Sequence, residues 1–259
     1  MPPGQYVIQA YRGRVKPHVE GEFAAVPVTV NGENVRGLVV QTSPGSMISG
    51  RMTFDGARAP ASRNIDLSAV PSDVDLAPLD GNLARAEIHA DWTFEMSGIS
   101  GQRRLQLLRA PRGWGLKRIL ANGVDITDAP LMFGAKNQSL ADVEVVLTDN
   151  ITEIAGMATD DRGRALAGAG VVVFAGDREQ WYDRSRFVKI ATATADGAFV
   201  VRDLPPGTYF VSAVDRQRAS EENGEWLNPE LLESLAPGAA SITVTEGQKL
   251  SINAKLAAR

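Results

Sequence analysis

The residues best suited to bind a ligand are aromatic. Trp181 and Tyr182 are adjacent in a polar stretch, with charged side chains on both sides of the pair. Trp226 precedes a predicted helix, and Trp114 lies between two glycines. Aromatic rings in loops stack on sugar rings or anchor partner proteins, so these four are the candidate ligand-binding residues. The alternative, which the sequence favours, is that they cover the open ends of the fold or fill contacts between repeats.

Residues that support catalysis or metal binding are scarce. The sequence contains no cysteine, which excludes disulfides, thiolate metal sites and cysteine nucleophiles. Its two histidines, His18 and His89, have no second ligand at helical or strand spacing, and there is no Gly-x-Ser-x-Gly motif. We therefore predict no catalytic residue, no metal site and no cofactor, and a protein that is not an enzyme.

Acidic residues offer one alternative to this prediction. Asp160, Asp161 and Asp196 carry oxygen ligands of the kind that calcium prefers, although their spacing does not resemble an EF-hand. All three occur in turn sequences, where an Asp side chain accepts hydrogen bonds from nearby backbone amides. We interpret them as turn residues.

Charge and hydropathy exclude two classes of partner. The 259 residues include 27 basic and 31 acidic side chains, a net charge of −4, which gives little attraction for nucleic acid. Basic residues in the middle of the chain are interpreted as a solvated strand face: Arg103, Arg104, Arg109, Arg112, Lys117 and Arg118. No stretch approaches the roughly 18 apolar residues that span a bilayer, so we predict no membrane insertion. No signal peptide is recognisable at the N-terminus.

Two sequence landmarks recur at one spacing. Gly50 and Gly156 each follow an isoleucine by two positions, and Gly101 and Gly207 each begin a strand-like run. Both pairs are 106 residues apart. Because two landmarks share a single spacing, the sequence indicates a duplicated unit about the size of a small domain.

A partial copy of the unit precedes the two complete ones. The run Pro-Gly-Gln-Tyr at residues 3–6 matches Pro-Gly-Thr-Tyr at residues 206–209. We predict that residues 1–41 are the C-terminal half of a preceding repeat, and that complete repeats occupy residues 42–149 and 150–259. The N-terminal part lacks partner strands within this chain, so we expect it to dock on the edge of the middle unit or to fray.

Within the complete units the pattern is that of β-strands. Residues 208–213 and 249–256 alternate between apolar and polar side chains, and Asp-Gly at residues 196–197 predicts a hairpin turn. Seven short strands separated by turn sequences predict a two-sheet sandwich with one solvated face per sheet.

One helix is predicted near residues 229–235. Asn228 is a favourable N-cap, Pro229 suits the first turn, and leucines follow at helical spacing. We expect this helix to cover a sandwich edge. The predicted fold is therefore all-β: tandem Ig-like or prealbumin-like Greek-key β-sandwiches with one short helix.

Several motifs of the last unit resemble those of one domain family. They are Ile154-Ala155-Gly156, the turn and strand of residues 160–171, Asp196-Gly197-Ala198-Phe199, and the corner at residues 204–209. These stretches resemble the carboxypeptidase regulatory-like domain, a prealbumin-like β-sandwich found in tandem in large bacterial extracytoplasmic proteins. Ala165 departs from the family pattern, where proline is frequent, and residues 43–149 match it loosely. Residues 114–128 resemble a linker strand of such tandem proteins.

The resemblance implies a location outside the cytoplasm, in the periplasm or at the cell surface. It also implies a non-catalytic role as a structural spacer or protein-interaction module. Two alternatives stay open. The fold also occurs among starch-binding-like domains, which predicts carbohydrate binding through Trp181, Tyr182 and Trp226. Alternatively, the chain is an accessory region of a larger peptidase or receptor. The expected partner is thus a protein or a glycan.

Overall fold

The computed structural model describes residues 1–12, 21–73, 76, 83–135, 138–215 and 227–257 of the chain. They belong to two compact units, Met1–Asp149 and Asn150–Arg259. Strands dominate both units, as the alternating sequence pattern predicts. No helix in the described ranges is long and apolar enough to cross a membrane.

The first unit is built from strands in three sheets. In chain order the strands are β1 (Gly4–Arg12), β2 (Glu22–Val30), β3 (Ser46–Asp55), β4 (Asp66–Pro71), β5 (Glu87–Ile88), β6 (Thr93–Ile99), β7 (Gly101–Arg109), β8 (Gly115–Ala121), β9 (Val124–Asp125), β10 (Leu131–Phe133) and β11 (Ser139–Thr148). β1 and β2 pair with each other, a second sheet has the order β10-β7-β4, and the largest has the order β5-β6-β3-β11-β8-β9. β3 and β11 run parallel, and their other pairings are antiparallel.

The two larger sheets of the first unit enclose one apolar core. Ile48 of β3, Leu67 of β4 and Leu105 of β7 are at most 1% exposed and belong to the same cluster. Along β3, buried Ile48 and Met52 alternate with more exposed neighbours, the period of two expected for a strand with one inner face.

The second unit is a sandwich of two sheets with a single α-helix in the described ranges. Its elements are β12 (Glu153–Thr159), β13 (Gly170–Ala175), β14 (Val188–Thr192), β15 (Ala198–Arg202), β16 (Gly207–Val214), α1 (Pro229–Leu235), β17 (Ala240–Val244), β18 (Lys249–Ser251) and β19 (Ala254–Lys255). One sheet has the order β15-β12-β18, with β19 also pairing with β12, and the other has the order β14-β13-β16-β17. This is a prealbumin-like arrangement, so the all-β sandwich predicted from the sequence is confirmed.

Helix α1 occupies the predicted residues, and its start has the predicted cause. The Asn228 side chain accepts a hydrogen bond of 2.9 Å from the Glu230 amide, and Pro229 is the first helical residue. The expected position of the helix was wrong, however. Leu232 and Leu235 pack on Val172 and Phe174, which lie on the outer face of the β13 sheet and not at a sandwich edge.

This face of the sheet is buried, whereas the sequence analysis expected one solvated face per sheet. All six residues of β13 are buried, with Val171 and Val173 in the inner core and Val172 and Phe174 under α1. The physical reason is the unbroken apolar run of β13, because a strand covered on both faces has no need of polar alternation.

Residues 114–128 are also placed differently from the expectation. They do not form a linker, because β8 pairs antiparallel with β11 and β9 pairs with β8 inside the large sheet of the first unit. Ile119 of β8 is fully buried in the core, and Ile126 after β9 is 8% exposed. The apolar side chains of this hairpin account for its place in the sandwich.

The two units share a strand order. The parallel pair β3–β11 has β6 beside β3, and the parallel pair β12–β18 has β15 beside β12. The opposing sheets contain β4-β7-β10 in the first unit and β13-β16-β17 in the second.

The shared order explains the repeated Ile-x-Gly. A Cβ on Gly50 would lie 1.9 Å from the Val143 carbonyl oxygen, and one on Gly156 would lie 1.6 Å from the Ile252 carbonyl oxygen. In each unit the pairing with the parallel partner is irregular beside this glycine, and the partner's backbone approaches too closely for any side chain.

The repeated Pro-Gly-x-Tyr motif forms a corner held by a tyrosine hydroxyl. Tyr209 donates a hydrogen bond of 2.7 Å to the Pro205 carbonyl, and Tyr6 donates one of 2.8 Å to the Pro2 carbonyl. In the middle copy, Arg103 stands two residues after the strand's first glycine, where the other two copies have tyrosine. Arg103 is only 1% exposed.

Candidate functional site

Trp181 is fixed at the start of the loop that joins β13 to β14. The Asp177 side chain accepts a hydrogen bond of 3.0 Å from the Glu179 amide and begins a 3-10 turn at Arg178–Gln180. The Trp181 indole N–H donates to the Ala175 carbonyl at 2.8 Å, and its ring meets Phe174 edge to face at 5.6 Å. The half-buried Trp181 ring packs against both the inner core and the buried cluster beneath α1.

Tyr182 follows Trp181 in the same loop, beside charged residues. Its ring packs against the inner core and is half-buried. Next to it are the exposed residues Asp183 and Arg184, whose side chains form an ion pair at 3.7 Å. The buried Ser185 hydroxyl donates to the Gln180 carbonyl, which links the two ends of this part of the loop. A partly exposed aromatic ring beside polar groups is a suitable contact for a sugar or a protein side chain.

Trp114 belongs to an aromatic cluster of the first unit. Phe54 meets Trp114 edge to face at 5.6 Å and Trp92 edge to face at 4.7 Å. The exposed Arg63 guanidinium lies 5.6 Å from the centre of the Trp92 ring, within range of a cation–π interaction. Sequence reasoning selected Trp114 but missed Phe54 and Trp92, because neighbours brought together by sheet pairing carry no local signal.

The four candidate residues are described separately for each unit. Trp181 and Tyr182 are adjacent in the second unit, and Trp114 lies in the first. Trp226 falls outside the described residues, as does His18. His89 is exposed in the turn between β5 and β6, where its backbone bonds to Thr93 and Trp92.

The acids considered for calcium are engaged in turns. Asp160 accepts hydrogen bonds of 2.9 Å from the amides of Arg162 and Arg164, and the Arg164 guanidinium pairs with it. The hydrogen bond from the Arg164 amide is the main cause that lowers the Asp160 pKa. Asp196 accepts from the Thr194 hydroxyl, which lowers its pKa in the same way. Within the described ranges, no three His, Asp or Glu side chains are grouped as metal ligands.

The basic residues of the first unit do not share one solvated face. Arg103 is buried because it replaces the corner tyrosine, so the sequence interpretation was wrong for this residue. The Arg104 guanidinium donates to the Asp128 carbonyl at 3.2 Å, and Arg109 donates to the Asn64 amide oxygen at 3.2 Å. Lys117 forms an ion pair with Asp55 and lowers the Asp55 pKa.

A second set of ionisable residues was missed by sequence reasoning. Burial raises the pKa of Asp203, and burial lowers the pKa of Lys189 on β14. Each charge partly offsets the effect on the other, and Arg186 lies close enough to act on both. Asp203 follows β15 with a φ of 61°, a left-handed conformation that aspartate and asparagine tolerate better than most residues. The two residues are 14 positions apart, so no local pattern indicates the pair.

Both units are thus all-β, with apolar cores enclosed by their sheets. Residues 153–257 match the family model of the carboxypeptidase regulatory-like domain. This match confirms the resemblance seen in the motifs of the second unit.

Among solved structures, the chain is similar to several bacterial proteins, including pilins. A streptococcal ancillary pilin is 16% identical, with 100% of this chain and 77% of that chain covered and a TM-score of 0.31. The shaft pilin spaA from Lactobacillus rhamnosus GG is 9% identical, with a TM-score of 0.29. The match covers 84% of this chain and 99% of that chain. The Bacillus anthracis TIE protein is 12% identical with a TM-score of 0.26; the match covers 99% of this chain but only 42% of that one. No curated protein matches the chain.

Proposed function

We propose that this protein is a non-catalytic, extracytoplasmic β-sandwich protein that acts as a structural spacer or a protein-interaction module. The observation that carries the proposal is the strand order shared by the two units. Closely packed sandwiches keep their surfaces in fixed positions, which is what a spacer or a presenting module requires. The carboxypeptidase regulatory-like domain at residues 153–257 supports a location outside the cytoplasm.

The proposal includes the three-part division of the chain. Residues 42–149 and 150–259 are complete repeats of one unit, and residues 1–41 are the C-terminal half of another. Support comes from Gly50 and Gly156, which are 106 residues apart in sequence. In both places the backbone of the parallel partner lies too close for a side chain. The separate pairing of β1 with β2 supports the assignment of the N-terminal half.

Spin labels on the two complete repeats test the spacer role. The chain contains no cysteine, so Arg58→Cys and Lys255→Cys give one label in each repeat without further changes. Both residues are exposed, and neither belongs to a hydrophobic cluster. A spacer predicts a narrow distribution of label distances in pulsed electron resonance. A broad distribution, with both units folded, would contradict the spacer role.

Turnover assays test the absence of catalysis. Purified protein is expected to release no product from panels of peptide, ester and glycoside substrates. Turnover that survives a second purification and is abolished by a point substitution within a unit would overturn the non-catalytic assignment.

Carbohydrate binding is a second candidate function, favoured by the half-buried Tyr182 beside exposed polar residues. Trp181, Trp114 and Trp226 are the further contact residues of this proposal. Calorimetric titration with soluble glycans would test it, with the variant Tyr182→Ala expected to weaken any binding about tenfold or more. Tyr11→Ala, at an exposed tyrosine of the first unit, is the control and should leave binding unchanged. The absence of heat with every glycan would end this candidate.

A further inference from the structure

The corner at the start of β7 differs from the two other corners in the residue that it buries. Tyr6 and Tyr209 each bond back to a proline carbonyl, so the polar atom of each has a partner close by. The corresponding residue of β7 is Arg103, which is 1% exposed. Burying a guanidinium costs more free energy than burying a phenol, so tyrosine would serve a purely structural corner better.

A cavity of about 460 Å³ lies beside this corner, within the first unit. Its volume falls in the range of about 300–1,000 Å³ that is usual for small-molecule sites. The surface of the cavity is more apolar than polar, and its apolar walls come mainly from β2 and β10. They include Phe23, Ala24, Ala25, Val26, Met132 and Phe133. The cavity therefore suits a molecule with an apolar part.

Two polar side chains lie next to each other at the corner end of the cavity. A Cβ on Gly101 would lie 3.9 Å from the Arg103 Nη1 atom, so the guanidinium lies back beside this glycine. Ser100 precedes Gly101 and is 6% exposed, and its hydroxyl has no hydrogen-bond partner in the described part of the chain. All three residues line the cavity. A buried cation and a buried hydroxyl with a proton to donate thus adjoin an apolar space.

The wall beside Ser100 is held in place by the backbone of Gly134. A Cβ on Gly134 would lie 3.5 Å from the Ser100 Cα atom. The Gly134 N–H donates to the Ser46 hydroxyl at 2.7 Å, and the Gly134 carbonyl accepts from the Ser43 hydroxyl at 2.9 Å. Because these hydrogen bonds fix the end of β10, the cavity keeps its shape without a ligand, which lowers the cost of binding one.

We propose that this cavity binds a small amphipathic carboxylic acid. The carboxylate lies at Arg103 and Ser100, and the apolar chain lies along β2 and β10. A carboxylate accepts charge-assisted hydrogen bonds from the guanidinium, and it gives the Ser100 hydroxyl an acceptor. Arg103 has five N–H donors, so it binds the ligand while it keeps its contacts within the protein. Contact with the walls removes the apolar chain from water.

A single negative charge suits the cavity better than two. Arg103 is the only cation among the described lining residues, and Asp73, which also lines the cavity, is exposed. Water screens the exposed carboxylate, whereas the buried guanidinium acts through a medium of lower dielectric constant, so the cation dominates at the corner. A phosphate monoester would bring a second negative charge near Asp73 with no second cation to offset it. We therefore expect a carboxylate as the charged group.

Octanoate tests the site, with octanol and octylamine as ligands of the same chain length and different charge. We expect octanoate to bind one-to-one, to shift the amide resonances of Gly101 and Gly134, and to bind about tenfold or more tightly than octanol or octylamine. Arg103→Tyr introduces the corner residue of the other two copies, so the variant is expected to fold. It should weaken octanoate binding about tenfold or more and leave octanol binding unchanged.

Two further variants separate the outcomes. Arg109→Tyr, at the exposed end of the same strand, is the matched control and should leave both affinities unchanged. Ser100→Ala removes only the hydroxyl and should weaken octanoate binding about threefold to tenfold. Equal affinities for octanoate and octanol, or octanoate binding that survives Arg103→Tyr unchanged, would overturn the carboxylate site. The absence of amide shifts with octanoate up to about 5 mM would overturn it as well.

Discussion

The two complete units share a strand order but differ in two places. One is the corner residue near the start of β7 or β16, and the other is the segment that follows that strand. In the second unit, β16 begins at Gly207 and buries Tyr209, whose hydroxyl returns to the Pro205 carbonyl. In the first unit, β7 begins at Gly101 and buries Arg103 at the corresponding position. The segments that follow these strands also differ. In the second unit α1 covers an outer face of a sheet, whereas in the first unit β8 and β9 extend a sheet.

This difference separates what the fold requires from what it tolerates. The glycine beside the interrupted parallel strand is the same in both units, because no side chain fits against the partner's backbone. The corner residue and the segment after β7 or β16 differ between the units, because different side chains fit at these places. The match to the family model covers residues 153–257, a range that includes the corner tyrosine Tyr209.

The comparison predicts that the shared glycine has the largest effect on stability. Gly156→Ala would place a methyl group 1.6 Å from the Ile252 carbonyl oxygen, and β12 and its parallel partner would have to separate. We expect the second unit to lose about 3–5 kcal/mol of unfolding free energy. Gly50→Ala should cost the first unit a similar amount. Calorimetric unfolding of each variant measures both.

Gly238→Ala is the matched control for these glycine variants. A Cβ at this position meets no atom within 4 Å, so its stability should change by less than about 1 kcal/mol. Equal losses for Gly156→Ala and Gly238→Ala would show that the close backbone approach does not constrain the fold.

The next largest effect is expected at helix α1 of the second unit. Leu232→Ala leaves a space between α1 and the outer face of β13, where Val172 and Phe174 are fully buried. The expected loss is about 2–4 kcal/mol by urea unfolding. Leu231→Ala, one residue earlier and only half-buried, should cost clearly less. If the two variants were equally stable, α1 would not cover the sheet as described.

The corner tyrosines are expected to have a smaller effect, and an unequal one. Tyr209→Phe removes the hydrogen bond to Pro205 inside a buried corner and should cost about 1 kcal/mol. Tyr6→Phe removes the same hydrogen bond at a more exposed site, where water replaces it, so the cost should be below about 0.5 kcal/mol. A larger loss at Tyr6, measured by amide exchange of β1, would show that burial does not set the strength of the corner.

Local sequence signals predicted the elements, and long-range contacts decided how they are covered. Asn228 and Pro229 fixed the start of α1, and the Ile-x-Gly repeat marked the same position in two sandwiches. The burial of Arg103 could have been inferred from its alignment with Tyr209, but its charge argued for the surface. The unbroken run of β13 was the available signal that α1 covers a sheet face.

The candidate site was less accessible to sequence reasoning than the fold. The contact of Trp114 with Phe54 depends on the pairing of three strands, and the proximity of Lys189 to Asp203 depends on the path of a loop. Neither has a spacing that a helix or a strand would impose. The role of the acidic turn residues was easier to predict. Asp160, for example, accepts hydrogen bonds from the amides two and four residues further along the chain.

The smallest predicted effect concerns the pH dependence of the second unit. Burial raises the pKa of Asp203 above 3.8, the ordinary value that the carboxyl keeps in the unfolded chain. Well below pH 3.8 the carboxyl is protonated in both states and imposes no cost. As the pH rises from there through the raised pKa of the folded state, the unfolded state loses its proton first, so stability falls.

Asp203→Asn keeps the shape and tolerates the φ of 61°. The variant should therefore match the original protein near pH 3.5 and exceed it at pH 7 in thermal unfolding. A variant that is less stable at pH 7 would instead show that the attraction of Lys189 outweighs the cost of burying the carboxylate.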